Sequence, residues 1–391
     1  MGTKLGNRTA GSRTGKKDGG GNEAAAPRAA APGAGRKPAG RASESGSRRS
    51  GATTLWDVAR AAGVSAATVS RALEKPDSVA AETRRRVMEA VASCGYTPNI
   101  QARNLRKMET RLVTVLIADV TNPFFNEIVR GVEQVARAQG YSVLLADSEN
   151  DPGQEAAYGN LLAARRTDGM ILLNGRLPIG LAADPPKSGT GRAAKPPPIV
   201  VACEYLTNRD LPTVQIDNVE AARKATDHLI EQGHRRIGFI AGPMLNVLSR
   251  DRLQGYRDAL LDSGLPFDEA LVAPGDFSIL SGIAATRRLM QGAEAPSAIF
   301  ASNDEMAFGA IRAARDAGLK VPQDLSVIGF DDIRFSAYVD PPLTTIRQPG
   351  LEIGRTAMTM LLAILRDAKL PQRRVVLPTE LVARASVRRQ S

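Results

Sequence analysis

Thr54-Leu-Trp-Asp-Val-Ala-Arg-Ala-Ala-Gly-Val-Ser-Ala-Ala-Thr-Val-Ser-Arg-Ala-Leu73 is the stretch whose reading decides how the chain begins to fold. Leu55, Trp56, Val58 and Ala59 follow Thr53 and Thr54, either of which can cap a first helix, and Gly63 supplies its stop. Ser65 then stands where a second N-cap is needed, and Ala66 to Leu73 read as a second short helix. Pro76 and Asp77 make a loop. A third helix is expected over Ala81–Cys94, with Val87, Ala90 and Val91 on its apolar face and Gly95 at its end. Val69 is expected in the core that the three helices share. Residues 53–98 thus read as a small all-α unit.

Charge is distributed in a way that bears on that unit. The 391 residues carry a formal net charge of +11. Residues 1–52 hold 11 basic and 3 acidic residues, and residues 53–107 hold 9 and 5. The remaining 284 residues hold 32 and 33, so all the excess sits at the amino end of a near-neutral body. A polyanion partner at that end is one reading, and a solubilising tail is the other. Residues 1–52 are rich in Gly, Ala, Ser, Pro and Arg and are expected to be disordered. Cys94 and Cys203 form no metal-binding or disulfide pattern. No apolar run approaches a membrane span of roughly 18 residues, and no signal-peptide core precedes the first helix. A cytoplasmic protein without metal or cofactor is expected.

From Arg111 the pattern changes. Leu112-Val-Thr-Val-Leu-Ile117 is an apolar, β-branched run suited to a strand covered on both faces. A helix follows from Phe124 to about Gly140. Further strands are expected at 141–145, 169–173, 199–202, 214–216, 237–240, 298–300 and 325–328. Strands alternating with helices predict parallel sheets with right-handed crossovers. Two successive sets imply two Rossmann-like α/β lobes, and ligands bind such sheets outside the strands' carboxyl ends. The expected bounds are 111–209 plus 349–375 for lobe one and 210–348 plus 376–391 for lobe two. Residues 178–198 read as a surface insertion.

Thr54–Leu73, Gly95-Tyr-Thr-Pro-Asn99 and Pro341-Pro-Leu-Thr-Thr-Ile346 together resemble the lactose/galactose repressor (LacI/GalR) family of transcriptional regulators. The resemblance covers residues 53–385 and implies a helix-turn-helix headpiece ahead of a periplasmic-binding-protein-like sensor. Physical reading of the second helix agrees. Its first turn, capped by Ser65, suits a major groove, but Ala66 and Ala67 can touch only a thymine methyl. Arg71, one turn on, has the geometry for a bidentate contact to guanine and is the main expected base reader. Thr68 and Ser70 can donate to phosphates or serve as plain helix surface. Glu74 departs from an asparagine common in the family, so a phosphate contact is not expected there. Residues 99–110 are the implied hinge and linker, with Asn99, Ala102 and Leu105 at DNA. Leu105 matches a family leucine that wedges into the minor groove. Two headpieces on a pseudo-palindrome imply a homodimer on an operator.

The resemblance also implies a small-molecule effector between the lobes. Asn122, Phe124 and Phe125 follow the first strand and open a helix, so they face the cleft. Phe277 matches an aromatic ligand position on the other lobe, and Phe125 and Phe277 can sandwich a ring. Arg252 matches the family's effector-binding arginine and Asp331 its acidic partner, a pair suited to vicinal hydroxyls. Asn303 either reaches ligand or caps a helix. Glu204 and Gln348 complete the implied set. Leu248 stands where some sugar-binding members have serine. Within the family, Asp168–Pro178, Leu211–Asn218 and Asp340–Ile346 resemble the nucleoside (cytidine) repressor branch, so the effector is expected to be a nucleoside, pentose or other sugar. A solute-binding protein does not account for the headpiece, and a nonspecific architectural DNA protein does not account for a cleft. No nucleophile elbow, phosphate loop or metal spacing argues for an enzyme.

Overall fold

The computed structural model describes residues 53–97, 109–182, 196–207, 209–292 and 294–390. Asn99, Ala102 and Leu105 lie outside the described residues. Two compact units divide at Thr97 and Pro98.

In the first unit, α1 (Leu55–Ala62) begins at Thr54, whose backbone N–H and hydroxyl both donate to the Asp57 carboxylate, at 3.0 and 2.7 Å. Gly63 ends it in the left-handed conformation, φ +63°. Helix α2 (Ala66–Glu74) is capped by Ser65, whose hydroxyl oxygen accepts from Thr68 N–H at 3.1 Å. Helix α3 (Ala81–Cys94) stops at Gly95, φ +61°. Val58, Val69 and Val87 are fully buried and meet at the centre, with Ala59, Ala62, Ala72 and Ala90 around them. Val91 is half-buried at the edge. The small alanines let three short helices approach closely.

The second unit holds two six-stranded sheets. Lobe one contains β1 (Leu112–Ile117), β2 (Ser142–Asp147), β3 (Gly169–Leu172), β4 (Ile199–Ala202), β5 (Thr213–Ile216) and β11 (Arg374–Leu377). Their order is β11-β5-β4-β3-β1-β2 and every pairing is parallel. Lobe two contains β6 (Ile237–Ala241), β7 (Val272–Pro274), β8 (Ala298–Ala301), β9 (Ser326–Asp331), β10 (Thr344–Arg347) and β12 (Glu380–Val382). Their order is β12-β10-β9-β8-β6-β7, parallel except for the antiparallel β10–β12 pair. Residues of β1, β3 and β4 are almost all buried, as expected for a sheet covered on both faces.

Three helix pairs close on glycines. Helix α4 (Phe124–Ala138) packs on α11 (Gly350–Leu365), α7 (Asn218–Glu231) on α8 (Val247–Asp262), and α9 (Ile279–Met290) on α10 (Asp304–Asp316). A Cβ at Gly354 would collide with the Ile128 carbonyl, one at Gly255 with Val219, and one at Gly309 with Ile279. In each pair one helix backbone rests on the other.

The chain passes between lobes three times: from β5 into α7, from β10 into α11, and from β11 to β12. This corrects the expected lobe bounds. Strand β5 pairs with β4 and β11, so the first passage falls after Ile216 rather than at 210. Strand β11 pairs with β5, which carries lobe one to Leu377 rather than 375. The expected surface insertion at 178–198 is also corrected at its start. Ile179–Ala182 form a helical turn, α6, against α5 (Pro152–Ala163), where Pro178 packs on Gly159 and Leu181 is buried. Residues 183–195 lie outside the described residues.

Candidate functional site

On the headpiece, Ala67 and Arg71 stand exposed one turn apart on α2. Ala66 is half-buried against the small core, which leaves Ala67 as the more open of the two alanines. Arg71 Nε donates to the Ala67 carbonyl at 3.3 Å, which lays the guanidinium along the helix. Among the described residues Arg71 makes no ion pair, nor do Arg60 and Lys75. The other headpiece arginines are committed. Arg85 bonds Glu82 and Glu89, each at 2.7 Å, Arg84 pairs with Asp77 at 3.5 Å, and Arg86 donates to the Ala62 carbonyl. Thr68 shares its hydroxyl with Ser65 at 2.9 Å, and Ser70 donates to Glu74 at 3.4 Å. Ser65 and Thr68 therefore shape the helix start, and Ser70 faces an acid. Trp56, the sole tryptophan of the chain, is 70% exposed on α1. Composition alone gave no reason to place an indole on the surface, and exposure is the signal.

In the cleft, four of the nine implied ligand residues, Phe277, Asn303, Asp331 and Gln348, stand at the carboxyl ends of lobe two's strands, as the open α/β rule requires. Arg252 comes from the second turn of α8 and is 4% exposed. Its Nε donates to Asn218 Oδ1 at 3.0 Å and its Nη1 to the Ser302 carbonyl. The guanidinium carbon lies 3.8 Å from the centroid of the Phe330 ring, a cation–π contact. Asp331 Oδ1 is 3.9 Å from Nη1, the far limit of an ion pair, and accepts more closely from Gln348 Nε2 at 2.7 Å. Adjacent strand residues normally point to opposite faces. Asp331 leaves strand geometry at φ +118°, so Phe330 and Asp331 both reach the same guanidinium. Burial pushes the Asp331 carboxyl up to about 7 and pulls the Arg252 guanidinium down. Arg252, Asp331 and Gln348 are thus brought together. Asn218, Ser302 and Phe330 belong to the same cluster and were not legible from spacing, because they come from three separate segments.

Asn303 caps α10, accepting from Met306 N–H at 3.0 Å, while its Nδ2 donates to the Phe277 carbonyl at 2.9 Å. The structure thus displays the cap, one of the two expected roles of Asn303. Both polar ends of its side chain are occupied, and the second holds Phe277 at φ +72°. From lobe one, Glu204 crosses the cleft. Its Oε2 accepts from Val247 N–H, the first residue of α8, at 3.2 Å. Burial raises its carboxyl to about 7, and Gly175 leaves room for it, since a Cβ there would sit 2.5 Å from Oε2. Asn122 Oδ1 accepts from Phe124 N–H at 3.0 Å and starts α4. Phe124 and Phe125 are half-buried with ring centroids 5.7 Å apart. Asn122, Phe124 and Phe125 thus contact one another at the start of α4 in lobe one. His234 is buried between Ser297 Oγ, 2.9 Å, and the Arg388 carbonyl, 3.2 Å, where it pins the segment that follows β12. Among the described residues no group of three or more His, Cys, Asp or Glu is placed to hold a metal, and no helix is long and apolar enough to cross a membrane.

A three-helix headpiece with an arginine on its second helix that makes no ion pair among the described residues, followed by two α/β lobes, is the architecture of a DNA-binding regulator. Residues 54–99 match the family described as bacterial regulatory proteins, lacI family, and residues 226–387 match the periplasmic binding protein-like domain. The chain is 43% identical over 337 residues to the transcriptional repressor CytR of Escherichia coli (strain K12), covering 86% of this chain and 97% of that protein. It is 36% identical to catabolite control protein A of Priestia megaterium, covering 86% and 99%. A lac repressor dimer bound to operator superposes with a TM-score of 0.74 at 29% identity, covering 86% of this chain and all of that one. The chain belongs to the lacI family of bacterial regulatory proteins, and its relatives are DNA-binding repressors and regulators of transcription.

Proposed function

We propose that this chain is a repressor that reads a pseudo-palindromic operator as a homodimer and is controlled by a nucleoside or sugar in the interlobe cleft. The observation that carries the reading is Arg71, exposed on the Ser65-capped helix and free of any ion pair among the described residues. The three arginines of α3 are already paired or bonded to a carbonyl, whereas Arg71 on α2 keeps its guanidinium available for a base. Leu105 is assigned to the minor groove by its match to the family's wedge. The dimer is supported by exposed apolar side chains on the segments that Asn303 and Asp304 tie to the start of α10. Ile279 and Leu280 lie on one segment and Phe335 and Tyr338 on the other, with Leu280 and Tyr338 77% and 80% exposed. Asn303 ties the first segment to α10, and Asp304, through Ser336 Oγ at 2.6 Å, ties the second. The effector class is supported by the Arg252–Asp331 pair and by family structures solved with cellobiose and with ribose.

The test is selection of binding sites from random duplex DNA by the purified protein, followed by footprinting. A two-fold symmetric protected site is expected, and an asymmetric one overturns the dimeric reading. Arg71→Ala is expected to lose about 1–3 kcal/mol of affinity for the selected site and to relax its sequence at one position per half-site. Uniform weakening across all sequences would instead make Arg71 a phosphate contact.

A further inference from the structure

We propose that Ser249 is a selectivity-determining contact for the effector, a role that rests on the reading of the cleft given above. The Ser249 side chain is fully buried, and its Oγ has no hydrogen-bond partner among the described residues. Buried hydroxyls are nearly always paired, because an unpaired one keeps its desolvation cost uncompensated. Other buried orphans, such as Thr114 and Thr286, sit on secondary structure away from the strand ends. Ser249 lies instead beside Gly242, at the carboxyl end of β6. It lies in the first turn of α8, three residues before Arg252, and so shares that residue's face of the helix.

Its surroundings point to a ligand group rather than to misfit packing. Gly242 follows β6, and a Cβ there would collide with the Phe277 ring and lie 2.7 Å from Ser249 Oγ. The ring tip and the hydroxyl therefore share the space that glycine leaves. Phe277 holds this place with a left-handed backbone, φ +72°, that a phenylalanine adopts only at a cost, and Asn303 fixes its carbonyl. Strands β7, β6, β8, β9 and β10 are neighbours in the sheet. At their carboxyl ends stand, in that order, Phe277, Gly242 with Ser249, Ser302 with Asn303, Asp331, and Gln348. Arg252 reaches the middle of this row and Ser249 one end of it. A ring compound with hydroxyls on one edge for Arg252 and Asp331, and a polar atom on the opposite edge beneath Phe277 for Ser249, satisfies both. The hydroxyl can donate to a carbonyl or ring oxygen, or accept from an amine.

The experiment uses the full chain and two readouts. Without ligand, Ser249→Ala is expected to leave the thermal midpoint equal to or above that of the wild type, since it removes an unpaired group. Ser302→Ala, which removes a hydroxyl bonded to the Ile240 carbonyl at 2.6 Å, is expected to lower it. A lower midpoint for Ser249→Ala would mean that the hydroxyl has a structural partner, and the proposal falls. Cytidine, adenosine, D-ribose and cellobiose are then titrated calorimetrically. A probe that binds the wild type and fails to bind Arg252→Ala is expected to lose roughly tenfold in affinity on Ser249→Ala. Equal affinity for wild type and Ser249→Ala overturns the role of Ser249 and leaves the effector site standing. If none of the four binds the wild type, or if one binds Arg252→Ala unchanged, the effector reading itself is what fails.

Discussion

Arg252 spends its guanidinium on several partners at once: Nε on Asn218, Nη1 on Ser302 and Asp331, and the flat face on Phe330. Lysine offers one point charge and no planar face. Arg252→Lys is therefore expected to destabilise the sensor by about 2–4 kcal/mol, read from the denaturant midpoint. Asp331→Asn is expected to cost less, because burial already holds that carboxyl near 7 and the amide oxygen can still accept from Gln348. A larger loss for Asp331→Asn than for Arg252→Lys would place the organising charge on the acid. The capping residues Ser65, Gly63 and Gly95 were legible in the sequence, because each acts within a few residues of itself. The partners of Arg252 were not. A motif names the arginine, but its partners arrive from α7, β8 and β9, which only the fold brings together.

At the scale of elements, the long buried strands announced themselves by apolar runs, while β7, β10, β11 and β12 did not. Strands β11 and β12 are four and three residues long, stand at sheet edges and contain only half-buried and exposed positions. Nothing local distinguishes such a segment from a loop, and pairing with β5 or β10 makes it a strand. Strand β5 is expected as a strand but in the other lobe, because a buried apolar run does not say which sheet it joins. The helix pairs give a sharper expectation. Gly354 rests on the Ile128 carbonyl and has no space for a side chain. Gly354→Val is expected to force α4 and α11 apart and to cost at least about 1–3 kcal/mol. Gly318, left-handed at φ +79° but with no atom near its missing Cβ, is the control, where Gly318→Asn is expected to be mild. Equal losses at both positions would show that backbone strain, not helix contact, governs these glycines.

Across the whole molecule, lobe two is organised around a buried acid. Asp304, fully buried at the start of α10, accepts from Ile333 N–H at 2.9 Å, Ser336 Oγ at 2.6 Å and Thr345 Oγ1 at 2.5 Å. Burial, with Asp331 nearby, raises its carboxyl from the model-peptide value of 3.8 to about 8. A raised folded value means that the native state holds a proton the unfolded chain has released. Stability from this group is then fully present below about pH 4 and is lost as pH climbs through about 8. The stability of Asp304→Asn relative to wild type is accordingly expected to improve steadily from pH 5 to pH 9 in parallel thermal melts. A difference that is flat or falls with pH would mean that the three donors keep Asp304 ionised throughout.

The three passages between lobes have a consequence for synthesis. Lobe one cannot complete its sheet until β11 has been made, more than 150 residues after β5, the strand it pairs with. Lobe two waits for β12, three residues later still. A ribosome therefore releases the headpiece as a finished unit while both lobes are still unclosed, each offering an unpaired strand edge. A nascent chain stalled near residue 370 is expected to carry a folded DNA reader attached to a sensor that can be neither closed nor regulated.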